Sequence, residues 1–295
     1  MHIADLFGRG QPVLSVEVFP PKPESALDGV LATIEAVQNL EPDFISVTYG
    51  AGGSSRAHTV EIANRIKNRY GIETLAHLTC VGTGKDEIDD ILAELREKNI
   101  DNILALRGDM PQEGVPAKFD YTYAQDLIEY LTARGEFSIG AACYPEGHIE
   151  CASLEQDLKH LRDKVNAGAD FLITQLFFDN DFFYRFRDQI NALGIQVPVS
   201  AGIMPVMNKR QIERITTLCG ASIPPRLRQI LTAYEDDPPA LKKAGIDYAI
   251  EQIEDLLAAG VDGIHLYAMN RPEVARTVFA VVNGLRGSSA HEHRL

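Results

Sequence analysis

Cysteine is scarce in this chain. Four residues in 295, Cys80, Cys143, Cys151 and Cys219, are too few for a disulfide scaffold and suit a reducing compartment. Paired Cys-x-x-Cys spacing is missing, which argues against a zinc site in "CYPEGHIEC", where His148 lies between two cysteines, or in the His-x-x-Cys of "HLTC". Long apolar runs are missing too: they stop at strand length, well short of the roughly 20 residues of a membrane span. The opening "MHIADLFGRG" holds no apolar signal segment, so the expectation is a cytoplasmic protein. Positive charge is in deficit, 28 Lys and Arg against 42 Asp and Glu, for a formal net charge of -14. Such a surface repels a phosphate backbone or an anionic membrane, and leaves room for anionic small molecules only where local Arg and Lys receive them.

Several catalytic signatures are absent as well. "YGAGGSS" invites a phosphate-loop reading but has Ser55 where the third glycine of Gly-x-Gly-x-x-Gly belongs, and no Gly-Lys-Ser/Thr follows. It reads as a loop whose Ser54 or Ser55 caps the next helix. No Gly-x-Ser-x-Gly elbow occurs, and the strand-like runs contain no lysine, which weakens a Schiff-base reading.

What is present is a repeat of strand and helix. Strand-like runs fall at 13–19, 43–49, 73–80, 102–108, 138–144, 170–178, 197–203 and 263–269. Most are near-continuous apolar stretches, as expected of parallel strands covered on both faces. Between them lie helix-length segments. "SALDGVLATIEAVQNL" has Ser25 as its N-cap, and "KDEIDDILAELREKNI" puts Ile88, Ile91, Leu92 and Leu95 on one face. Ser153 opens and Gly168 closes a third helix, and Gly260 closes a fourth. With no linker or low-complexity tract, this alternation predicts a single-domain (β/α)8 TIM barrel over residues 1–287, with a helical insertion at 223–240 before the last strand and a frayed tail at 288–295.

The architecture bears on one residue. Glu17 stands inside the first strand, in "SVEVFPPKPE", where a half-solvated strand would turn it to water. In a barrel, catalytic groups gather at the C-terminal strand ends instead. The same test collects Thr48 and Tyr49, His77 and Thr79, Arg107 and Asp109, Tyr144 and His148, Thr174 and Gln175, then Tyr267, Asn270 and Arg271. Each has a plainer reading: His77 as a core histidine, Gln175 as a loop-closing amide, Tyr267 as a packing residue, Arg107 and Asp109 as an ion pair across the Gly108 turn. Together they form a ring suited to a large cofactor that carries the chemistry, with the protein orienting it and supplying a proton.

From "VEVFPPK" through "FISVTYGAGG", "LAHLTC", "NILALRGDMP", "AACYPEGH", "DFLITQLFFDN" and "GIMPV" to "LYAMNRPE", the chain resembles the methylenetetrahydrofolate reductase family of the short bacterial, FAD-dependent kind. The resemblance covers nearly the whole chain. It implies FAD across the top of the barrel, contacted by Thr48, His77, Arg107, Gly108, Asp109, Tyr123, Ala124, Ala142, Tyr144, His148, Asp157 and Lys164. Arg107, His148 and Lys164 suit ribityl, ribose or diphosphate oxygens.

On the folate side it implies Glu17, Asp109, Gln175, Gln211, Tyr267 and Arg271, with Arg271 pairing the substrate's glutamate tail. The implied reaction is ping-pong reduction of 5,10-methylenetetrahydrofolate to 5-methyltetrahydrofolate with NADH or NADPH, feeding one-carbon metabolism and methionine biosynthesis. Glu17 is the implied general acid, protonating N10 as the one-carbon bridge opens, and Asp109 orients the pterin. A homo-oligomer is expected, and some relatives work with an accessory electron-transfer subunit. Two other readings stay open: another flavin barrel, such as a proline-dehydrogenase-like oxidase, and a non-catalytic folate-binding subunit.

Overall fold

Eight short strands, buried along almost their whole length, close into a barrel: β1 (Val13–Val18), β2 (Phe44–Val47), β3 (Glu73–Thr79), β4 (Asn102–Leu106), β5 (Ser138–Cys143), β6 (Phe171–Thr174), β7 (Val199–Ile203) and β8 (Gly263–Leu266). Each pairs in parallel with its neighbour in sequence, and β8 pairs with β1. The computed structural model describes residues 1–21, 27–49, 53–109 and 120–292. The (β/α)8 barrel expected from the alternation is the observed fold, and every strand falls within its expected run.

Helices α1 (Leu27–Gln38), α2 (Gly53–Asn64), α3 (Lys85–Glu97), α4 (Ala124–Arg134), α5 (Leu154–Ala167) and α6 (Asn180–Ala192) follow the first six strands in turn. They bury their apolar faces on the outside of the sheet. On α3 that face is Ile88, Ile91, Leu92 and Leu95, as the spacing predicts. On α5 the Ser153 hydroxyl accepts the Gln156 N–H at 3.2 Å, and Gly168 ends the helix. The expected Ser25 cap and the side chains of Ser54 and Ser55 lie outside the described residues; α2 already begins at Gly53.

Three helices separate β7 from β8: α7 (Lys209–Cys219), α8 (Pro225–Ala233) and α9 (Pro238–Ala258). The insertion expected at 223–240 therefore divides. Pro225 opens α8, while Pro238 and Pro239 open α9, whose N-cap Asp237 accepts the Ala240 N–H at 3.1 Å. Proline fits there because the first helical N–H groups have no intrahelical partner. After β8, α10 (Pro272–Glu292) completes the ring.

The two ends of the barrel differ. A 3-10 segment, Ile3–Arg9, plugs the N-terminal end: Ile3 N donates to Asn102 Oδ1 at 2.7 Å, and Ile3, Leu6 and Phe7 pack on Val13, Phe44, Leu75, Leu104 and Phe171. The C-terminal end carries no such plug among the described residues and holds the cavity described below. Over β7 and β8 a second apolar cluster joins Phe178, Met204, Val206, Ile212, Leu227, Leu231, Leu241 and Tyr248, seating α7, α8 and α9. Gly245 makes this approach possible, since a Cβ there would stand 1.7 Å from the Val206 carbonyl oxygen. Gly245→Ala must push backbone from backbone, so it is expected to cost about 1–3 kcal/mol and to lower the melting temperature by several degrees in a thermal unfolding scan.

Candidate active site

A cavity of about 600 Å³ opens at the C-terminal strand ends, within the size range of small-molecule sites. The strands deliver its polar lining in turn: Glu17 from β1, Thr48 just past β2, His77 and Thr79 from β3. Beyond β4 come Arg107, Gly108 and Asp109, then Ala142 of β5 with Tyr144 and His148 behind it, then Gln175 past β6 and Tyr267 past β8. Between them stand Leu104, Leu106, Ile173 and Met204, which make apolar walls.

Glu17 is 6% exposed and sits between two histidines, with Oε2 3.6 Å from His77 Nε2 and 3.7 Å from His265 Nε2. The plain reading of Glu17 as a water-facing strand residue does not hold: closure of the barrel turns its side chain inward. Burial lowers the His77 pKa from 6.5 to about 4, against a smaller upward pull from Glu17, so at neutral pH this is a neutral imidazole beside a carboxyl group. His77 Nε2 has no hydrogen-bond partner among the described residues although buried, and His77 lines the cavity. A polar atom so placed calls for a ligand atom or water.

His265 is fully buried. Its Nδ1 lies 2.7 Å from Ser15 Oγ, and its Nε2 is 3.4 Å from Ser46 Oγ. Because the Ser15 hydroxyl donates to the Ile264 carbonyl at 3.3 Å, Ser15 Oγ is placed to accept Nδ1–H. That tautomer leaves the Nε2 lone pair facing Ser46 and Glu17. Tyr267 meets His265 edge-on at 5.1 Å and donates its hydroxyl to the Thr174 carbonyl at 2.8 Å. Gly202 leaves room for this, since a Cβ there would stand 2.3 Å from Thr174 O and 2.7 Å from the Tyr267 ring.

The opposite wall carries the cations. Arg107 Nη1 binds Glu150 Oε2 at 2.6 Å, and its Nε donates to Gly108 O at 3.2 Å. Arg107 is thus ion-paired with Glu150 rather than across the turn with Asp109, the pair that the sequence allowed. Tyr144 and His148 pack edge to face at 4.6 Å, and Asp157 Oδ2 accepts the His148 N–H at 3.2 Å. Lys164 donates to the Ala142 carbonyl at 2.5 Å, with its ammonium 5.9 Å from the Tyr144 ring. Burial lowers the Lys164 pKa and raises that of Asp157.

Some expected residues lie off the cavity lining. Tyr123, 62% exposed, and Ala124 stand at the start of α4, where Asp126 Oδ2 accepts the Thr122 and Tyr123 N–H groups at 2.8 and 2.9 Å. Asp157 and Lys164 form a layer behind Ala142, Tyr144 and His148. Gln211, in the first turn of α7, lines a small adjoining crevice that shares Met204 and Met269 with the main cavity. Arg271 is exposed just before α10. Gln175 Oε1 accepts the Leu176 N–H at 2.9 Å, so the loop-closing role foreseen for it operates alongside its place in the lining.

A profile of the methylenetetrahydrofolate reductase family matches residues 2–283. The chain belongs to that family. The 5,10-methylenetetrahydrofolate reductase of Pectobacterium carotovorum subsp. carotovorum is 37% identical over 94% of this chain and 91% of its own length; that of Escherichia coli K12 is 36% identical over 92% and 90%. A probable methylenetetrahydrofolate reductase (NADH) of rice is 37% identical over 90% of this chain, which spans 47% of the plant protein. In fold the family member resembles an uncharacterized Clostridium thermocellum protein described as binding two copies of 5-methyl-5,6,7,8-tetrahydrofolic acid. The TM-score is 0.63 at 15% identity, over 96% of this chain and 97% of the other. A dihydropteroate synthase from Xanthomonas albilineans gives a TM-score of 0.54 at 13% identity, covering 94% of each chain.

Sequence reasoning about this family member missed His265, Ser15, Ser46 and Glu150. The first three point inward one layer below the rim, and their signal was available: residues two apart on a strand share a face, so Ser15 accompanies Glu17 and His265 accompanies Tyr267. Glu150 lies in a loop, where no period exists.

The His77 shift has a measurable consequence. Its folded-state pKa is depressed, so the unfolded chain binds the extra proton between pH 6.5 and about 4, and folding stability contributed here falls as pH drops through that window. Urea melts at pH 7 and pH 5 are expected to show a loss of roughly 2 kcal/mol from this residue, and His77→Gln to remove that share of the pH dependence.

Proposed function

We propose that this barrel is a methylenetetrahydrofolate reductase that reduces 5,10-methylenetetrahydrofolate to 5-methyltetrahydrofolate, with FAD as its resident cofactor and NADH or NADPH as the electron donor. The observation that carries this reading is Glu17: a carboxyl group buried at the mouth of a barrel of this family, with His265 and a neutral His77 within 4 Å. The 5-methyl-5,6,7,8-tetrahydrofolic acid bound by the Clostridium protein and the NADH of the rice relative support the substrate and one of the two donors.

The residues fit a flavin. The cavity has the volume of a cofactor site, flat apolar walls from Leu104, Leu106 and Ile173, and a buried His77 nitrogen that lacks a partner. Arg107 and Lys164 supply the cations for an anionic diphosphate, and Thr48, Tyr144 and His148 supply hydrogen-bonding groups beside them. Tyr123 and Ala124, with Gly108, Asp109, Ala142 and Asp157, complete the proposed cofactor contacts. When bound, FAD supplies a two-electron carrier that takes hydride from the nicotinamide and gives it to the folate.

The chain's own residues supply the rest. The methylene bridge of the substrate joins N5 and N10, and its carbon accepts hydride only after the bond to N10 opens. Opening leaves negative charge on N10 unless a proton arrives, and Glu17 holds that proton at Oε2. His265, fixed by Ser15 through Nδ1, presents its Nε2 lone pair to the same carboxyl and keeps it oriented. Asp109, Gln175, Gln211 and Tyr267 flank the pterin, and exposed Arg271 is left to pair with the substrate's glutamate carboxylate, which lets an acidic protein hold an anion.

Glu17→Gln is expected to retain FAD and to bleach normally with the nicotinamide donor, yet to reoxidise with methylenetetrahydrofolate at least about 100-fold more slowly. Stopped-flow absorbance of the two half-reactions decides it, and equal damage to both would make Glu17 structural. Arg107→Ala and Lys164→Ala are expected to lose flavin during gel filtration. An absorption spectrum of each purified variant checks this; undiminished flavin in both would overturn the cofactor placement.

A further inference from the structure

Residues Met269 and Asn270, just beyond β8, both have left-handed backbones, with φ of 55° and 53°. Two consecutive non-glycine residues in that region are unusual, and asparagine tolerates it better than most. The turn they make aims the Asn270 side chain back at β1. Asn270 Oδ1 accepts the Phe19 N–H at 2.9 Å, and Asn270 Nδ2 donates to the Phe19 carbonyl at 2.8 Å. Phe19 is the first residue past β1, and the β1–β8 register ends at Val16 and Leu266. A side-chain amide carries a donor and an acceptor spaced like those of a peptide group, so Asn270 serves Phe19 as a strand neighbour would. Its own carbonyl accepts the Thr33 hydroxyl of α1 at 3.4 Å, tying the turn to the helix that follows β1.

The clamp holds more than a loop. Phe19 and Met269, on its two sides, both line the cavity, and Glu17 lies two residues upstream of Phe19 on the same strand. Pro20 and Pro21 follow at once and offer no N–H to any neighbour, so the ladder cannot continue beyond Phe19. We infer that Asn270 is a positioning residue: by gripping both polar groups of the Phe19 backbone it fixes the β1 rim, and with it the height of Glu17 in the cavity and the Phe19–Met269 wall against which the folate lies. This rests on the reaction proposed above. It predicts that the clamp matters to the step that needs the Glu17 proton and not to the reduction of the flavin.

The holoenzyme and its Asn270→Ala and Asn270→Gly variants separate the possibilities. Glycine relieves the left-handed backbone while removing the clamp, and alanine removes the clamp alone. Both are expected to keep flavin content and donor-driven bleaching within about twofold of the parent, and to reoxidise with methylenetetrahydrofolate at least about tenfold more slowly. The loss should appear in the limiting rate more than in the folate concentration dependence. Glycine should melt higher than alanine yet be equally slow.

Hydrogen exchange at the Phe19 amide gives a readout that needs no turnover, and it should be protected in the parent and exposed in both variants. Parent-like reoxidation in the variants overturns the positioning role, equal loss of both half-reactions and of flavin makes Asn270 merely structural, and retained protection at Phe19 overturns the clamp. A parent holoenzyme that cannot be reoxidised by methylenetetrahydrofolate overturns the reaction and the catalytic part of this inference, while exchange at Phe19 still decides the clamp.

Discussion

Pairing of β1 with β8 is the contact on which the site depends. It joins residues about 250 positions apart, setting Ser15 beside His265 and Val16 beside Leu266. Without that ladder Glu17 would be a charged residue on an edge strand with one face in water. With it, the alternating face of β1 becomes barrel interior, and a carboxyl group, a serine and a histidine meet where solvent is excluded. Burying polar groups in this way is costly unless each finds a partner. The partners here come from the same closure: Ser15 and Ser46 for His265, Thr174 for Tyr267.

The barrel interior is graded along its axis. At the N-terminal end Phe44, Leu75, Leu104 and Phe171 fill it under the Ile3–Arg9 plug, with Phe7 and Phe171 rings 5.7 Å apart. One layer up, Ser15, Ser46 and His265 form a buried polar layer, with His265 reaching the cavity lining. Above that lies the open cavity with Glu17 and His77. This order has a physical reason. A rigid apolar floor fixes the strands, the polar layer is held by their side chains, and the top layer has the space that a ligand requires. His77 illustrates the outcome: burial holds it neutral, and its Nε2 is left without a partner at the cavity surface.

Much of this was legible in the sequence. The strand runs, the α3 face, the Ser153 cap and the extra helix before β8 follow from local chemistry, in which a few neighbouring residues settle the outcome. The rim residues at the strand ends were legible because a barrel fixes where strand ends go. The inward face of His265 was legible from its spacing to Tyr267, but its partners were not, since nothing within "GIHLYAM" tells which neighbours a closed barrel will bring to it. Arg107 stands at the rim as expected, but its ionic neighbour Glu150 was not legible, because it reaches Arg107 from a loop 43 residues away. Tyr123 and Arg271 mark the other boundary, where a role rests on the resemblance and the side chain stands off the cavity wall.

Charge presents the last constraint. In the proposed function a chain with a net charge of -14 would receive its anionic ligand locally, on cations engaged to different degrees: Arg107 in the cavity lining, Lys164 in the layer behind it, and exposed Arg271 off its wall. Arg107 already holds Glu150 in a charge-assisted bond at 2.6 Å, so an incoming anion there exchanges one such bond for another and gains little. Lys164 donates to a neutral carbonyl, and burial depresses its pKa against weaker opposing pulls from Cys143 and Asp157, which means its charge is incompletely compensated where it stands. An anion brought beside Lys164 supplies the missing counter-charge in a low-dielectric setting, where the interaction is strongest. Arg271, exposed, is screened by solvent and salt and can steer an anion more than hold it. In the proposed function the three cations would therefore divide the work by burial, Lys164 anchoring, Arg107 exchanging partners and Arg271 attracting.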